Sequence, residues 1–300
     1  MKKYSVRPAR IGDLDIVHEI IAKQNAVDYG SAMTTVDDLR QKWESLNLED
    51  DTCIAYVDHG PAGYAEVTEG DSLYIYLADR NNVDLAFELL TILEGKVAAR
   101  KKDKVNLFTR ISEKNNTLLQ LFASRGYHSD LSFLIMETTL AEPPPSPLWA
   151  DGITMRAFVR DQDEQATYRA DEEAAEDKGY HDPLSYEGWV KRMRMDQESF
   201  DPSLWFLACD GNEIAGAVLN LYAKESDTGW VDHLSVRRAW RQRGIGKALL
   251  LYSLGEFYKR GVRKIKLSVD SKSLTNAPRL YESAGMKTIQ QYHIYRKEME

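Results

Sequence analysis

Arg241-Gln242-Arg243-Gly244-Ile245-Gly246, set between the apolar run Val231 to Val236 and the helical run Ile245 to Arg260, decides how this chain is read. The first backbone N–H groups of a helix lack intrahelical partners and sit at the positive end of the macrodipole, so an anion docks there if the chain lets it approach. Gly244 and Gly246 permit that approach. The hexapeptide therefore reads as a strand-to-helix turn that cradles a pyrophosphate. A lone Gly-x-Gly is a weak signal, and its meaning depends on what surrounds it.

The chain has 300 residues with 43% hydrophobic content, ample for a core, and its length predicts about two domains at roughly 100–200 residues each. Met1-Lys2-Lys3-Tyr4-Ser5-Val6-Arg7-Pro8 lacks the apolar stretch of a signal peptide. No later run approaches the roughly 18 apolar residues that span a bilayer, so a cytoplasmic protein without a membrane partner is expected. Cys53 and Cys209 lie in apolar strand-like runs without metal-ligand spacing, which predicts buried thiols and no metal site. A net charge of −8 argues against a nucleic-acid surface. Residues 161–201 hold 13 acidic and 5 basic side chains, and residues 237–272 hold 11 basic and 2 acidic. The basic stretch suits a polyanion, and the acidic one suits an amine-bearing partner or a solvated helix face.

Glu142-Pro143-Pro144-Pro145-Ser146-Pro147 removes backbone donors and reads as a linker. Its flanks repeat. Leu121-Phe122-Ala123-Ser124-Arg125-Gly126-Tyr127 echoes Leu280-Tyr281-Glu282-Ser283-Ala284-Gly285-Met286 at an offset of 159. The stretch from Ile54 to Val67 likewise resembles that from Trp205 to Val218, each reading as two strands joined by a tight turn. Each half then offers a strand, a helix, a strand, a helix and a final strand, the crossover pattern of a partly parallel sheet covered by helices. Ile265, Leu267 and Val269 alternate with Lys264, Lys266 and Ser268, as a half-buried strand requires.

With that order and the loop from Arg241 to Gly246, residues 153–300 resemble a GCN5-related N-acetyltransferase (GNAT) domain, whose signature is Arg/Gln-x-x-Gly-x-Gly/Ala. Arg279-Leu280-Tyr281-Glu282-Ser283-Ala284-Gly285-Met286 is similar to that family's later Leu-Tyr-Glu-x-x-Gly-Phe ending. Nearly the whole chain is similar in plan to the mycothiol synthase-like tandem members. The resemblance implies an α/β (α+β) fold of two tandem domains, each a mixed, mostly antiparallel sheet with a parallel splayed strand pair, flanked by helices. It implies a degenerate domain over 1–140, a linker over 141–152 and an acetyl-CoA-binding catalytic domain over 153–300.

By that resemblance, backbone groups of Leu234, Ser235 and Val236 hold the acetyl carbonyl and the pantetheine arm of acetyl-CoA. The loop Arg241, Gln242, Arg243, Gly244, Ile245, Gly246, Lys247 and Ala248 holds the pyrophosphate. Tyr281 corresponds to the general acid that returns a proton to the departing thiolate. The chain departs from the family at two places. Trp230 stands where many members carry a glutamate base, and simple strand alternation would put Trp230, Asp232, Leu234 and Val236 on one face, making Asp232 the candidate base and turning His233 away. Leu274 stands where a cofactor-facing asparagine is frequent, so Ser273 or Thr275 is expected to supply that hydrogen bond.

The same offset sets Asn82, Leu85, Phe87 and Glu88 opposite Arg241, Gly244, Gly246 and Lys247, replacing both glycines with bulk and a cation with an acid. Phe122, in the tyrosine position, has no proton to give, although Asn115 keeps the family spacing. The first half is expected not to catalyse. The acceptor is read from the segment Tyr168 to Pro202, where Glu172, Glu173, Tyr180 and His181 suit a primary amine. The expected reaction is acetyl transfer to a small-molecule amine, by a monomer or homodimer. The alternatives are a protein or peptide amine as acceptor and a non-catalytic acetyl-CoA sensor.

Overall fold

Asp58 and His59 both take left-handed φ angles (48° and 67°) and turn the chain between strands β2 (Thr52–Val57) and β3 (Gly60–Thr68). That hairpin opens the first of two compact units in this computed structural model, which describes residues 4–30, 34–68, 70–100, 104–177, 181–197 and 200–299. The units are residues 1–132 with 290–300, and residues 133–289.

In unit 1, β1 (Ser5–Arg7) pairs antiparallel with β2, β2 with β3, and β3 with β4 (Ser72–Leu77). Helices α1 (Leu14–Tyr29), α2 (Val36–Glu44) and α3 (Leu48–Asp51) precede β2, and α2 is fixed by a capping box between Thr35 and Asp38. The 18-residue α4 (Val83–Arg100) carries the crossover from β4 to the parallel β5 (Val105–Ser112). Its buried leucines, Leu85, Leu89, Leu90 and Leu93, fall at helical spacing on the sheet. The pairing of β4 with β5 is confined to Ser72 opposite Phe108, so these strands part almost at once. After α5 (Asn116–Ser124) and β6 (His128–Thr139), the sheet of this unit is closed against β5 by residues 292–299 of the final strand.

In unit 2 the antiparallel order runs β7 (Ile153–Ala157), β8 (Trp205–Asp210), β9 (Glu213–Ala223) and β10 (Thr228–Val236). Helices α6 (Glu164–Ala175) and α7 (Tyr186–Arg192) lie between β7 and β8 in sequence. Helix α8 (Ile245–Lys259) crosses to β11 (Lys264–Asp270), which runs parallel to β10. The expected alternation of β11 holds, since Ile265, Leu267 and Val269 are buried. Leu249, Leu250, Leu254 and Phe257 of α8 are fully buried, and each such side chain stabilises the fold by about 1.5–3 kcal/mol. The unit ends with α9 (Ala277–Ser283) and the start of β12 (Lys287–Met299), and its sheet is closed on β11 by residues 133–139.

The limits 1–140 and 153–300 follow the repeat in sequence, whereas the compact units follow the sheets. Residues 133–139 and 290–299 therefore pack in a different unit from the half of the repeat to which they belong. Alternation marks both as half-buried strands but does not say whose edge they meet. The run Pro143–Pro147 lies along α8 beside Tyr252 and Gly255. Cys53 and Cys209 are free and buried, and burial pushes the Cys53 thiol up to about 12. Among the described residues no helix is long and apolar enough to cross a membrane.

Candidate active site

Gln242 (φ 61°) and Gly244 (φ 81°) both take left-handed conformations, and between them they turn the chain from β10 into α8. A Cβ on Gly244 would meet nothing within 4 Å, so the backbone angle explains glycine there. Gly246 is different. A Cβ there would lie 3.3 Å from Leu280 Cδ1 and 3.7 Å from both Leu234 Cδ2 and Val236 Cγ2, so its bare backbone lets α8, α9 and the end of β10 meet. No side chain caps α8, and its first backbone bond runs from the Ala248 N–H to the Gly244 carbonyl. The amides before Ala248 thus form an uncapped positive helix end. Lys247 is exposed beside it, without an ion pair among the described residues.

The arginines of this loop bond to neighbouring segments of unit 2. Arg241 donates to the Val236 carbonyl (3.0 Å), to the Ala174 carbonyl (3.0 Å) and to Asp177, and Arg243 donates to the Asp151 carbonyl at 2.9 Å. Arg238 also pairs with Asp177, while Arg237 meets Glu173 at 2.7 Å and Glu213 at 2.8 Å. The basic and acidic stretches seen in the sequence therefore neutralise one another in part. This corrects the expectation that each is held for a separate partner. Solvated pairs of this kind contribute about 0–1 kcal/mol each, so their main effect is to fix α6 against the loop.

Parallel pairing of β10 with β11 ends at Val231 opposite Leu267, yet β10 continues to Val236, leaving a splayed edge between the strands. A β-bulge sits at the parting. Val231 pairs with Asn220 and His233 with Leu219, so Asp232 is an extra residue. The bulge overturns the single-face reading of this strand. Gly229 faces Phe257 of α8, and beyond the bulge Leu234 and Val236 face α8 as well, whereas His233 turns to α6. Trp230 shares the His233 side, and the Asp232 side chain is exposed at the bulge. One inserted residue reverses every later side chain, and alternation along the sequence cannot reveal it.

His233 Nε2 lies 2.6 Å from Asp171 Oδ1, a charge contact off the axis of a good hydrogen bond. Asp171 Oδ2 accepts from Trp189 Nε1 at 3.0 Å. Burial works to raise the Asp171 carboxyl, but the close contact with His233 and the hydrogen bonds from Trp189 and Ser235 outweigh it and hold the group at about 2. Sequence reasoning missed this pair. Among the other acceptor candidates, Glu172 accepts from His181 Nε2 and the Leu184 N–H, both at 3.1 Å, and Glu173 is held by Arg237. Tyr180 lies outside the described residues.

Tyr281 is buried on α9, next to the Leu280 that packs on Gly246, and burial pushes its phenol up to about 12. Ser273 and Thr275 share a hydrogen bond of 3.1 Å on the segment between β11 and α9, where Leu274 is exposed. The structure thus gathers Leu234, Val236, Gly246 and Leu280 into one cluster at the splayed end of β10.

At the corresponding positions of unit 1, side chains occupy what unit 2 leaves open. Asn82 Oδ1 accepts from the Leu85 N–H at 3.2 Å and from Tyr4 Oη at 2.9 Å, so the start of α4 is capped. Gln24 of α1 donates to the Ile75 carbonyl at 3.2 Å and accepts from the Leu77 N–H at 2.9 Å. Ile75 and Leu77 are the counterparts of Leu234 and Val236 at the offset of 159. Phe122 is buried edge-on to Tyr127 at 4.8 Å.

Comparison with known proteins agrees with this fold. Residues 162–286 match the profile of the Acetyltransferase (GNAT) family. The crystal structure of a GCN5-related N-acetyltransferase from Sphaerobacter thermophilus is 32% identical, with a TM-score of 0.83 over 98% of this chain and 95% of that one. A tandem GNAT protein from the clavulanic acid biosynthesis pathway shares the fold at 12% identity, with a TM-score of 0.74 over 99% of this chain and 98% of that one. A mycothiol acetyltransferase of Streptomyces scabiei is 30% identical over 159 residues, 52% of this chain. That match spans 49% of the relative, so this similarity covers about half of its length.

Proposed function

Because the chain belongs to the GCN5-related N-acetyltransferase family, we propose that it moves an acetyl group from acetyl-CoA to a primary amine of a small molecule by direct attack. The observation that carries this is the meeting of the uncapped α8 start, the splayed end of β10 and Leu280 of α9 around Gly246, with the buried Tyr281 next to Leu280 in the chain. Acetyl-CoA supplies the activated thioester. The amides from Arg243 to Lys247, with the Lys247 side chain beside them, hold its pyrophosphate, and Ala248, whose N–H is taken by the Gly244 carbonyl, follows as the next residue of α8. The open edge of Leu234, Ser235 and Val236 holds the acyl carbonyl and pantetheine arm and stabilises the oxyanion. Ser273 or Thr275, which are hydrogen-bonded to each other, supplies a hydroxyl to the cofactor.

As the amine nitrogen bonds to the acyl carbon and the carbon–sulfur bond breaks, the Tyr281 phenol gives its proton to the leaving thiolate. A phenol held near 12 stays protonated until that moment, which suits an acid and not a base. Asp232, exposed at the bulge, takes the proton of the amine directly or through water. The Asp171 contact favours a second candidate, His233, whose ring it orients. Comparing kcat/KM against pH for Asp232→Asn and His233→Gln separates them, because only loss of the base removes the acidic limb.

Free-thiol release from acetyl-CoA across a panel of small amines tests the proposal. Turnover with at least one amine is expected, and tight acetyl-CoA binding without thiol release from any amine or lysine peptide would favour a sensor. Residues 1–140 are proposed not to catalyse, on the strength of Gln24, Asn82 and Phe122. Calorimetry on the full chain should give one acetyl-CoA per chain, and two would overturn this.

A further inference from the structure

Unit 1 holds a cavity of about 200 Å³ between α1 and the parting strands β4 and β5. Its wall includes Asp28, Tyr29, Lys42, Tyr74, Tyr76 and Arg110. The plug formed by Gln24 and the capped start of α4 remove the strand edge and the helix end that a nucleotide thioester needs, yet the space beyond them is not filled with core side chains. Its lining is predominantly polar, and that is an expensive way to finish a purely structural core.

The charges around this cavity do not balance. Asp28 is paired with Arg80 at 2.6 Å and also accepts from Asn115 at 3.2 Å. Lys42 is paired with the fully buried Glu66, which takes a further hydrogen bond from Tyr64 at 2.8 Å, and its ammonium lies over the Tyr74 ring. Arg110 is left over. Its guanidinium rests over the rings of Tyr29 (5.6 Å) and Tyr292 (5.2 Å), and among the described residues no carboxylate pairs with it. These ring contacts satisfy no N–H of the guanidinium fork, which is left unmatched by an acid among the described residues. One uncompensated positive charge, presented as a planar fork, is complementary to one carboxylate.

We propose that unit 1 binds a small organic carboxylate in this cavity, with Arg110 as its counter-charge and the tyrosines about its body. The volume admits a compound of small-metabolite size and excludes a nucleotide thioester. The half that lost the acyl-donor site is thereby a separate ligand site. The proposal does not depend on which amine unit 2 acetylates.

Calorimetry of the full chain with lactate, benzoate and inorganic phosphate, at constant ionic strength, tests it. At least one carboxylate should saturate a single site, and Arg110→Gln should weaken it by about tenfold or more, as loss of a charged hydrogen bond does. Arg110→Lys keeps the charge without the fork and should fall between, which decides the matter if the glutamine variant does not fold. Tyr281→Phe should leave the affinity unchanged. Absence of saturable carboxylate binding, binding of phosphate alone, or carboxylate binding that survives Arg110→Gln would each overturn the proposal.

Discussion

Gln24 Oε1 accepts the Leu77 N–H at 2.9 Å, so in unit 1 a side chain takes the backbone donor whose counterpart in unit 2, at Val236, belongs to an open strand edge. The amide nitrogen of Gln24 takes the Ile75 carbonyl as well. One glutamine thus supplies two of the ladder bonds that the parting of β4 and β5 removes, so this carbonyl and this N–H of the strand edge are satisfied from within.

Gln24→Leu should therefore cost about 1–3 kcal/mol, the penalty for leaving buried donors and acceptors unmatched. Urea denaturation followed by circular dichroism measures it, and thiol release by unit 2 should be unchanged in folded protein. An unmoved midpoint would show that the glutamine is idle.

Tyr281→Phe should lower kcat by about 10²- to 10⁴-fold, the range for removal of a positioned acid, and leave acetyl-CoA affinity nearly intact. Since burial holds this phenol near 12, its ionisation should cause no loss of turnover through about pH 9. Rates with an acyl donor whose leaving thiol is more acidic should fall less in the variant.

Asp171 sits near 2 in the folded protein against an ordinary value of 3.8. A depressed carboxyl adds stability that is present above the unfolded value and lost as pH falls through the folded one, so the window here runs from about pH 4 down to about pH 2. Asp171→Asn should destabilise the protein by about 2 kcal/mol at neutral pH, and the gap from the parent should close across that window. Thermal melts at a series of pH values read it, and a gap independent of pH would rule out the charge contact with His233 as its source.

Gly244→Ala forces a Cβ into a left-handed conformation, at a cost of about 1–2 kcal/mol. The loop shifts in response. KM for acetyl-CoA should rise about tenfold with a smaller effect on kcat, and initial rates at varied donor concentration distinguish this from a uniform loss of folded protein.

The turn from Arg241 to Gly246 is legible in the sequence because its requirements are local: a strand, a glycine with positive φ and an uncapped helix start all follow one another in the chain. The short helix that carries Tyr281 is legible for the same reason. His233 is not. The residue that reorients it is the bulge at Asp232, an insertion relative to β9, and no pattern within β10 alone discloses an insertion measured against another strand. The charged stretches misled similarly, since Arg237 and Glu173 are 64 positions apart and only the fold brings them to 2.7 Å. Gln24 looked like any helix glutamine, because its role is set by the parting of two strands far along the chain.

The closing strands carry a consequence for how the protein is made. Residues 290–299 complete the sheet of unit 1, and residues 133–139 complete that of unit 2. Synthesis runs from the amino end, so unit 1 waits beside the ribosome with an unpaired β5 until residues 290–299 emerge. A gene cut at the proline run would yield two fragments that each lack a strand. The two compact units are bound to one open reading frame and cannot be separated by simple excision.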